Sequence, residues 1–152
     1  MPFPSFHFKV GILTSAIITL LLLTLKVSEF NIAIFVIFFN LANWSIDFDH
    51  FIMSCIKSKR ILSLKESYKY HAGLIEYENE LRDRIPGDFH IFHTLESHLL
   101  VLFMGLIHPI FYYVFLGMLL HSLTDIWDLA ARDKLYRRQF FLIGWFINGR
   151  KI

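Results

Sequence analysis

The stretch from Phe30 to His50 reads "FNIAIFVIFFNLANWSIDFDH", an uncharged apolar run that ends in Asp47, Asp49 and His50. A helix needs about 20 mostly apolar residues to cross the hydrocarbon core of a bilayer. The run therefore predicts a membrane helix with ionisable groups at its end. Because such groups are costly at membrane depth, they usually mark a functional site. The stretch thus predicts a membrane fold and a site together.

The composition of the whole chain supports a membrane environment. Of its 152 residues, 55% are hydrophobic and 17% are aromatic, more than one small soluble domain can bury. We therefore predict a single membrane domain over residues 1–152. The formal charge of +2 gives no indication of nucleic-acid binding. Cys55 is the only cysteine, so an internal disulfide is excluded.

The apolar segments predict an all-α integral membrane four-helix bundle. The expected spans cover about 8–25, 30–46, 89–106 and 109–127. The last two form a hairpin because Pro109 disfavours helix at His108. Residues 56–88 carry both signs of charge and predict a soluble, cytoplasmic connection between helices 2 and 3. The tail, residues 135–152, contains an apolar run too short to span and is expected at the interface.

Helix geometry brings the polar residues of this bundle to one end. At 1.5 Å per residue, His93 lies about 20 Å from the turn at Leu106, and His121 about 18 Å from Pro109. Asp47 ends the second span on that same side. We therefore expect these side chains to converge near one membrane surface.

Basic residues indicate that this surface is cytoplasmic. Lysines and arginines cluster in residues 57–69 and 132–138, both on the predicted site side. Cytoplasmic loops carry such an excess. The sequence thus predicts a protein of the cell (inner) membrane with both termini in the cytoplasm.

The spacing of the polar residues predicts a metal site. His121 and Asp125 are four apart, and His90, His93 and Glu96 follow at intervals of three, so each set shares a helix face. Imidazole and carboxylate ligands suit one or more divalent ions, most often zinc, and also manganese or iron. The predicted ligands are His7, Asp47, Asp49, His50, His93, His121 and Asp125. Proton transfer is assigned to Glu96 or Asp49, while His90 and His98 stay open between ligand, base and structural roles.

Four short motifs resemble those of an inner-membrane family of metal-dependent hydrolases. They are "FHFKVG", "IDFDH", "FHTLESH" and "LLHSLTD", in this order, with a gap over residues 56–88. The resemblance implies a distant relation to zinc-dependent phospholipases C and single-strand nucleases. It assigns metal-binding roles to His7, to Asp47, Asp49 and His50, to His93, and to His121 with Asp125. This chain lacks the family's proline before "DFDH" and its Arg-Gly pair before the second histidine, and Glu96 stands where a small residue is usual.

These observations favour a membrane-bound metal-dependent hydrolase. We expect it to cleave a phosphoester of a lipid or another amphiphilic substrate at the cytoplasmic interface. The alternatives are an enzyme similar to membrane di-iron oxygenases and desaturases, and a non-catalytic metal-binding or transport protein. The expected partners are the lipid bilayer and the amphiphilic substrate.

Overall fold

The described part of the chain is mostly helical. The computed structural model describes residues 4–58, 63–81 and 90–148, and these contain no β-strand. The α-helices are α1 (Pro4–Thr24), α2 (Glu29–Ser45), α3 (Phe48–Ser58), α4 (Leu64–Leu81), α5 (Leu95–Met104), α6 (Ile110–Ala131) and α7 (Leu142–Asn148). Short 3₁₀ helices cover Ile91–His93 and Leu135–Arg137. The predicted all-α class is therefore confirmed.

Among the described residues, three helical stretches are long and apolar enough to cross a membrane. They are Ser5–Thr24, Glu29–Lys57, which joins α2 to α3, and Ile110–Ala131. Their length and composition are those of a membrane protein.

The predicted third span, residues 89–106, contains a shorter helix in the structure. Phe89 lies outside the described residues, and α5 has only ten residues, or about 15 Å. It begins at Leu95 because Thr94 caps it, its hydroxyl accepting the Ser97 N–H at 3.4 Å. Within the described ranges there are thus three helices of spanning length and one short apolar helix, and the predicted four-helix membrane bundle is not confirmed.

The connection between the two hairpins is largely helical. Helix α3 continues the second apolar stretch as far as Ser58, and α4 follows from Leu64 to Leu81. The rest of the predicted connection, residues 59–62 and 82–88, lies outside the described part, as do residues 149–152 of the predicted tail.

Helix α2 packs against both α1 and α6, and small side chains allow the close approach to α6. A Cβ atom at Gly117 would overlap the Phe39 carbonyl oxygen and touch Ala42. Ala42, Ile46 and Met118 form a buried apolar cluster beside it. The register of α6 along α2 is therefore fixed by close contact, and this register decides which side chains meet at the site.

Two buried amides join α1 to α2 through polar contacts. The Asn40 side chain donates to the Ser15 hydroxyl at 3.0 Å, and the Asn43 side chain donates to the His7 carbonyl at 2.9 Å. Buried polar groups need such partners. The second bond sets the start of α1 level with the end of α2, which brings the His7 side chain to the site.

Candidate metal centre

Four predicted ligands meet where α2 ends, and we call them the inner group. Asp47 lies at the junction of α2 and α3, His93 ends the 3₁₀ helix, and His121 and Asp125 lie one turn apart on α6. One ligand atom from each lies within 4.8 Å of the others. Nε2 of His121 is 3.1 Å from Asp47 Oδ1, and Nε2 of His93 is 3.4 Å from Asp125 Oδ2. The α2–α3 junction, the 3₁₀ helix and α6 thus contribute to one cluster.

The inner group is buried except on one side. The side chains of His93, His121 and Asp125 are at most 1% exposed, whereas that of Asp47 is 30% exposed. Asp47 therefore marks the side from which water or a ligand can reach the group.

Both histidines of the inner group point Nε2 into it. Nδ1 of His121 lies 2.7 Å from the Asn43 carbonyl oxygen, which can only accept, so this nitrogen carries the hydrogen. Nδ1 of His93 lies 3.3 Å from Asp49 Oδ2 in the same way. In a neutral ring the other nitrogen then presents a lone pair, which is the form that binds a metal.

A second cluster adjoins the first, and we call Asp49, His50 and His90 the outer group. Their ligand atoms also lie within 4.8 Å of one another. The rings of His50 and His90 have centroids 3.4 Å apart, and His90 Nδ1 is 3.7 Å from Asp49 Oδ1. His90, left open by the sequence, thus belongs with the predicted ligands.

Two aspartates connect the groups. Oδ2 of Asp49 accepts a hydrogen bond from the Phe92 N–H at 2.9 Å and faces Nδ1 of His93. Its Oδ1 faces Nδ1 of His90. Asp47 Oδ1 also lies 3.5 Å from Nε2 of His50. The two groups are therefore parts of one polar centre.

His7 lies beside the inner group, on the other oxygen of Asp125. Its ring stacks on that of His121 with centroids 3.9 Å apart, and its Nε2 is 3.2 Å from Asp125 Oδ1. The Thr124 hydroxyl donates to the His121 carbonyl, so it accepts from Nδ1 of His7. The lone pair of His7 Nε2 thus points at a carboxylate oxygen.

The donor set fits a metal cation. The buried atoms of the centre that make no hydrogen bond include Nε2 of His7, Nε2 of His93, Oδ1 of Asp49 and Oδ1 of Asp125. Ring lone pairs and carboxylate oxygens that face each other repel unless a proton or a cation lies between them. Nitrogen and oxygen donors without thiolate are typical of zinc, manganese and iron sites.

Glu96, the predicted general base, lies outside both groups and binds backbone amides. Both of its carboxylate oxygens are 3.0 Å from the Leu142 amide nitrogen, and Oε1 also accepts from Ile143. These contacts use the carboxylate to hold the chain after α6. Glu96 belongs to neither metal-binding group found among the described residues.

Arg138 is the functional candidate that sequence reasoning missed. It is 8% exposed, and its Nη1 donates to Asp125 Oδ2 at 2.9 Å. Its Nη2 donates to the Ser122 hydroxyl at 3.2 Å. The sequence places Arg138 among other basic residues near the membrane, so only the tertiary contact distinguishes it.

His98 joins this arginine instead of either metal group. Its Nδ1 is 2.9 Å from the Thr94 carbonyl oxygen and therefore carries the hydrogen. Its Nε2, 3.1 Å from the Ser122 hydroxyl, accepts from it. The role of His98, open in the sequence, is that of a hydrogen-bonding residue.

A separate charged cluster, outside both groups, joins Glu78 on α4 to the chain that follows α6. Glu78 accepts hydrogen bonds from Tyr136, from Lys134 at 2.9 Å and from Arg137 at 3.2 Å. Burial raises the pKa of Glu78, but the hydrogen bonds from Tyr136 and Lys134 outweigh it and hold the pKa below its ordinary value.

Comparisons with protein-family models, with curated proteins and with solved structures gave no match to this chain. Function must therefore be argued from the site itself.

Proposed function

We propose that the protein is a membrane-bound metal-dependent hydrolase that cleaves phosphoesters of lipids or other amphiphiles. The observation that carries this proposal is that imidazole nitrogens and carboxylate oxygens face one another in two adjoining groups. A structural metal site needs only one closed set of ligands. Two adjoining groups with one exposed edge are the arrangement that hydrolytic metal centres use.

In this proposal each group of residues has its own role in binding metal. The inner group would hold one divalent ion, most often zinc, and the outer group a second, with Asp47 and Asp49 between them. Bound ions would polarise a phosphoryl oxygen and acidify a water molecule. Asp47, 30% exposed, lies on the side where substrate would enter. We assign no proton transfer to Glu96, because its carboxylate is engaged by the Leu142 amide; Asp49 remains the carboxylate proposed for that role.

The substrate class is supported by the surroundings of the centre. Phe48, Phe92 and Trp127 are 55%, 42% and 67% exposed on the elements that carry the ligands. Such side chains suit the boundary between lipid and water. A substrate with an acyl or prenyl tail would keep the tail in lipid while its phosphoester reaches the metals.

We place the site at the cytoplasmic face of the inner membrane, on the distribution of basic residues. Cysteine labelling in a Cys55→Ser background tests this placement. Ser58→Cys should react with an impermeant maleimide only from the cytoplasmic side, and His108→Cys only from the opposite side. Labelling of both from one side would reject the arrangement.

The proposed hydrolase activity is tested by metal analysis followed by a phosphoester cleavage assay. Protein purified in detergent should contain zinc, manganese or iron, and should release phosphate or a phosphorylated head group from a panel of lipid phosphoesters. Chelator should abolish turnover and added metal restore it. A fully metallated protein that leaves the whole panel intact would defeat hydrolysis, and identification of iron as the native metal would favour the oxygenase alternative.

One observation favours metal transport as a second candidate. His121 is the twelfth of the 22 residues of α6, near the middle of a helix long enough to span. Transport sites lie near the bilayer midplane. Metal uptake into proteoliposomes, without phosphoester cleavage, would select this candidate. Against it, His7 and Asp47 lie at the ends of α1 and α2.

A further inference from the structure

Each buried ligand of the inner group has a hydrogen-bond partner outside that group, and this partner fixes the direction of the side chain. His121 is held by the Asn43 carbonyl and His93 by Asp49. Asp125 is held by Arg138, whose Nη1 lies 2.9 Å from Oδ2. Outer partners of this kind orient metal ligands, and their loss commonly weakens metal binding about 10–100-fold.

The guanidinium is itself held by a chain of hydrogen bonds with a defined direction. Nη2 of Arg138 donates to Ser122, Ser122 donates to Nε2 of His98, and Nδ1 of His98 donates to the Thr94 carbonyl. Thr94 also caps α5. The position of Arg138 is therefore tied to both α5 and α6.

The segment that carries Arg138 crosses the start of α5. The Leu95 N–H donates to the Phe140 carbonyl at 2.9 Å, and Glu96 accepts from Leu142. We call residues 138–143 the strap. Its backbone is thus fastened just after the point where Arg138 reaches Asp125.

We propose that Arg138 is a positioning residue of the metal centre, delivered by the strap and acting through Asp125, with Glu96 as the anchor of the strap. This inference rests on the proposed function only in that the inner group binds a metal ion. It explains two features together: a buried arginine on a ligand carboxylate, and a glutamate whose two oxygens are used on backbone amides.

Electrostatic repulsion makes the opposite prediction. A guanidinium beside a cation site disfavours the cation, so losing Arg138 would tighten metal binding if repulsion dominated. Positioning dominates here because, in the part of the chain that the structure describes, Asp125 Oδ2 otherwise faces Nε2 of His93 and of His121, which belong to the inner group themselves. The sign of the change in zinc affinity therefore separates the two effects.

The test is zinc affinity of the full-length protein in detergent, measured by competition with a chelating dye. Arg138→Gln should raise the Kd for zinc about 10–100-fold. Arg138→Lys, which keeps the charge and loses the planar fork, should recover part of the affinity. Arg132→Gln is the matched control, because Arg132 is exposed and pairs with Asp128; it should leave the Kd unchanged.

The anchor is tested by a double-mutant cycle. Glu96→Ala should weaken zinc binding less than Arg138→Gln does, and the double variant should bind zinc no more weakly than Arg138→Gln alone. Additive losses would show that Glu96 does not act through Arg138. Visible spectra of the cobalt-loaded variants should report altered ligand geometry in Arg138→Gln, a change that loss of stability alone does not produce.

An unchanged or lower Kd in Arg138→Gln would overturn the inference. If that variant failed to fold, an unchanged Kd in Arg138→Lys would do the same. The hydrolase proposal fails separately: a protein that binds zinc through Arg138 but cleaves no phosphoester retains this inference and loses the function. A protein that cleaves phosphoesters but whose zinc affinity does not depend on Arg138 retains the proposed function and loses this inference.

Discussion

The inner and outer groups use the same ligand types but differ in how firmly the fold holds them. The inner group takes ligands from the α2–α3 junction, the 3₁₀ helix and α6. The outer group takes Asp49 and His50 from the start of α3, and His90 from the first described position after residues 82–89. Packing between helices therefore fixes the inner group, whereas local geometry contributes more to the outer one.

Their supporting contacts differ as well. Every buried side chain of the inner group has an outer partner, and those partners include Asn43 and Arg138. In the outer group, Asp49 also orients His93 and so serves both groups. Because preorganised ligands lose less entropy on binding, we expect the inner group to bind metal more tightly.

The largest expected effect separates the groups by ligand loss. His121→Ala combined with Asp125→Ala removes two ligands of the inner group, so metal affinity there should fall by at least about 100-fold. Isothermal titration with zinc measures it. His108→Ala, in the exposed turn between α5 and α6, is the control and should bind zinc like the unmodified protein. Full zinc content in the double variant would contradict the assignment of the inner group.

A substitution outside both groups tests whether the register of α6 along α2 affects metal binding by the inner group alone. Gly117→Leu places a side chain against the Phe39 carbonyl and should force α6 from α2. Overpacking of this kind costs about 1–3 kcal/mol. Thermal unfolding should show that loss, and the tight zinc site should weaken. Gly73→Ala on α4, where a Cβ atom meets nothing within 4 Å, is the matched control. Unaltered tight binding in a destabilised Gly117→Leu protein would remove the distinction between the groups.

His90→Ala should affect the outer group alone. The variant loses one outer ligand and keeps every inner one, so a protein that binds two ions should bind one at unchanged affinity. Metal content per chain, measured by mass spectrometry of metals, gives the answer. A fall in the tight site instead would mean that the groups bind a single ion together.

The sequence indicated the residues of the two groups better than the contacts that support them. Asp47 and His121 could be found because an ionisable side chain at an apolar boundary is rare, and because helical spacing relates His121 to Asp125. Arg138 could not be found in this way, since its contact with Asp125 depends on the path of the chain after α6. Periodicity describes one helix at a time and carries no information on such contacts.

The short α5 and the role of Glu96 escaped prediction for a related reason. Hydropathy marked residues 89–106 as a span, but Thr94 caps a helix that begins only at Leu95. The preceding residues turn as a 3₁₀ helix that directs His93 to the inner group. Glu96 has the helical spacing of a ligand, yet its carboxylate accepts hydrogen bonds from backbone amides of the strap. Local pattern was thus overridden by contacts distant in sequence.

The smallest expected effect lies in Glu78, which touches neither group. Glu78→Gln keeps the shape but removes the charge that Lys134 and Arg137 face. The folded pKa of Glu78 lies below its ordinary value of 4.5, so its contribution to stability is present above that pH and is lost as the pH falls through the folded pKa. The variant should therefore be less stable at pH 7 by about 1 kcal/mol or less, and the difference should shrink towards acid pH. Thermal unfolding of metal-free protein between pH 7 and pH 3 measures this difference in stability without interference from metal release.

The zinc affinity of both groups in Glu78→Gln should stay as in the unmodified protein, because the Glu78 contacts end at Arg137, before the strap. A variant that lost tight zinc binding would show that α4 supports the inner group, and the difference between the groups would then extend beyond the helices that carry the ligands.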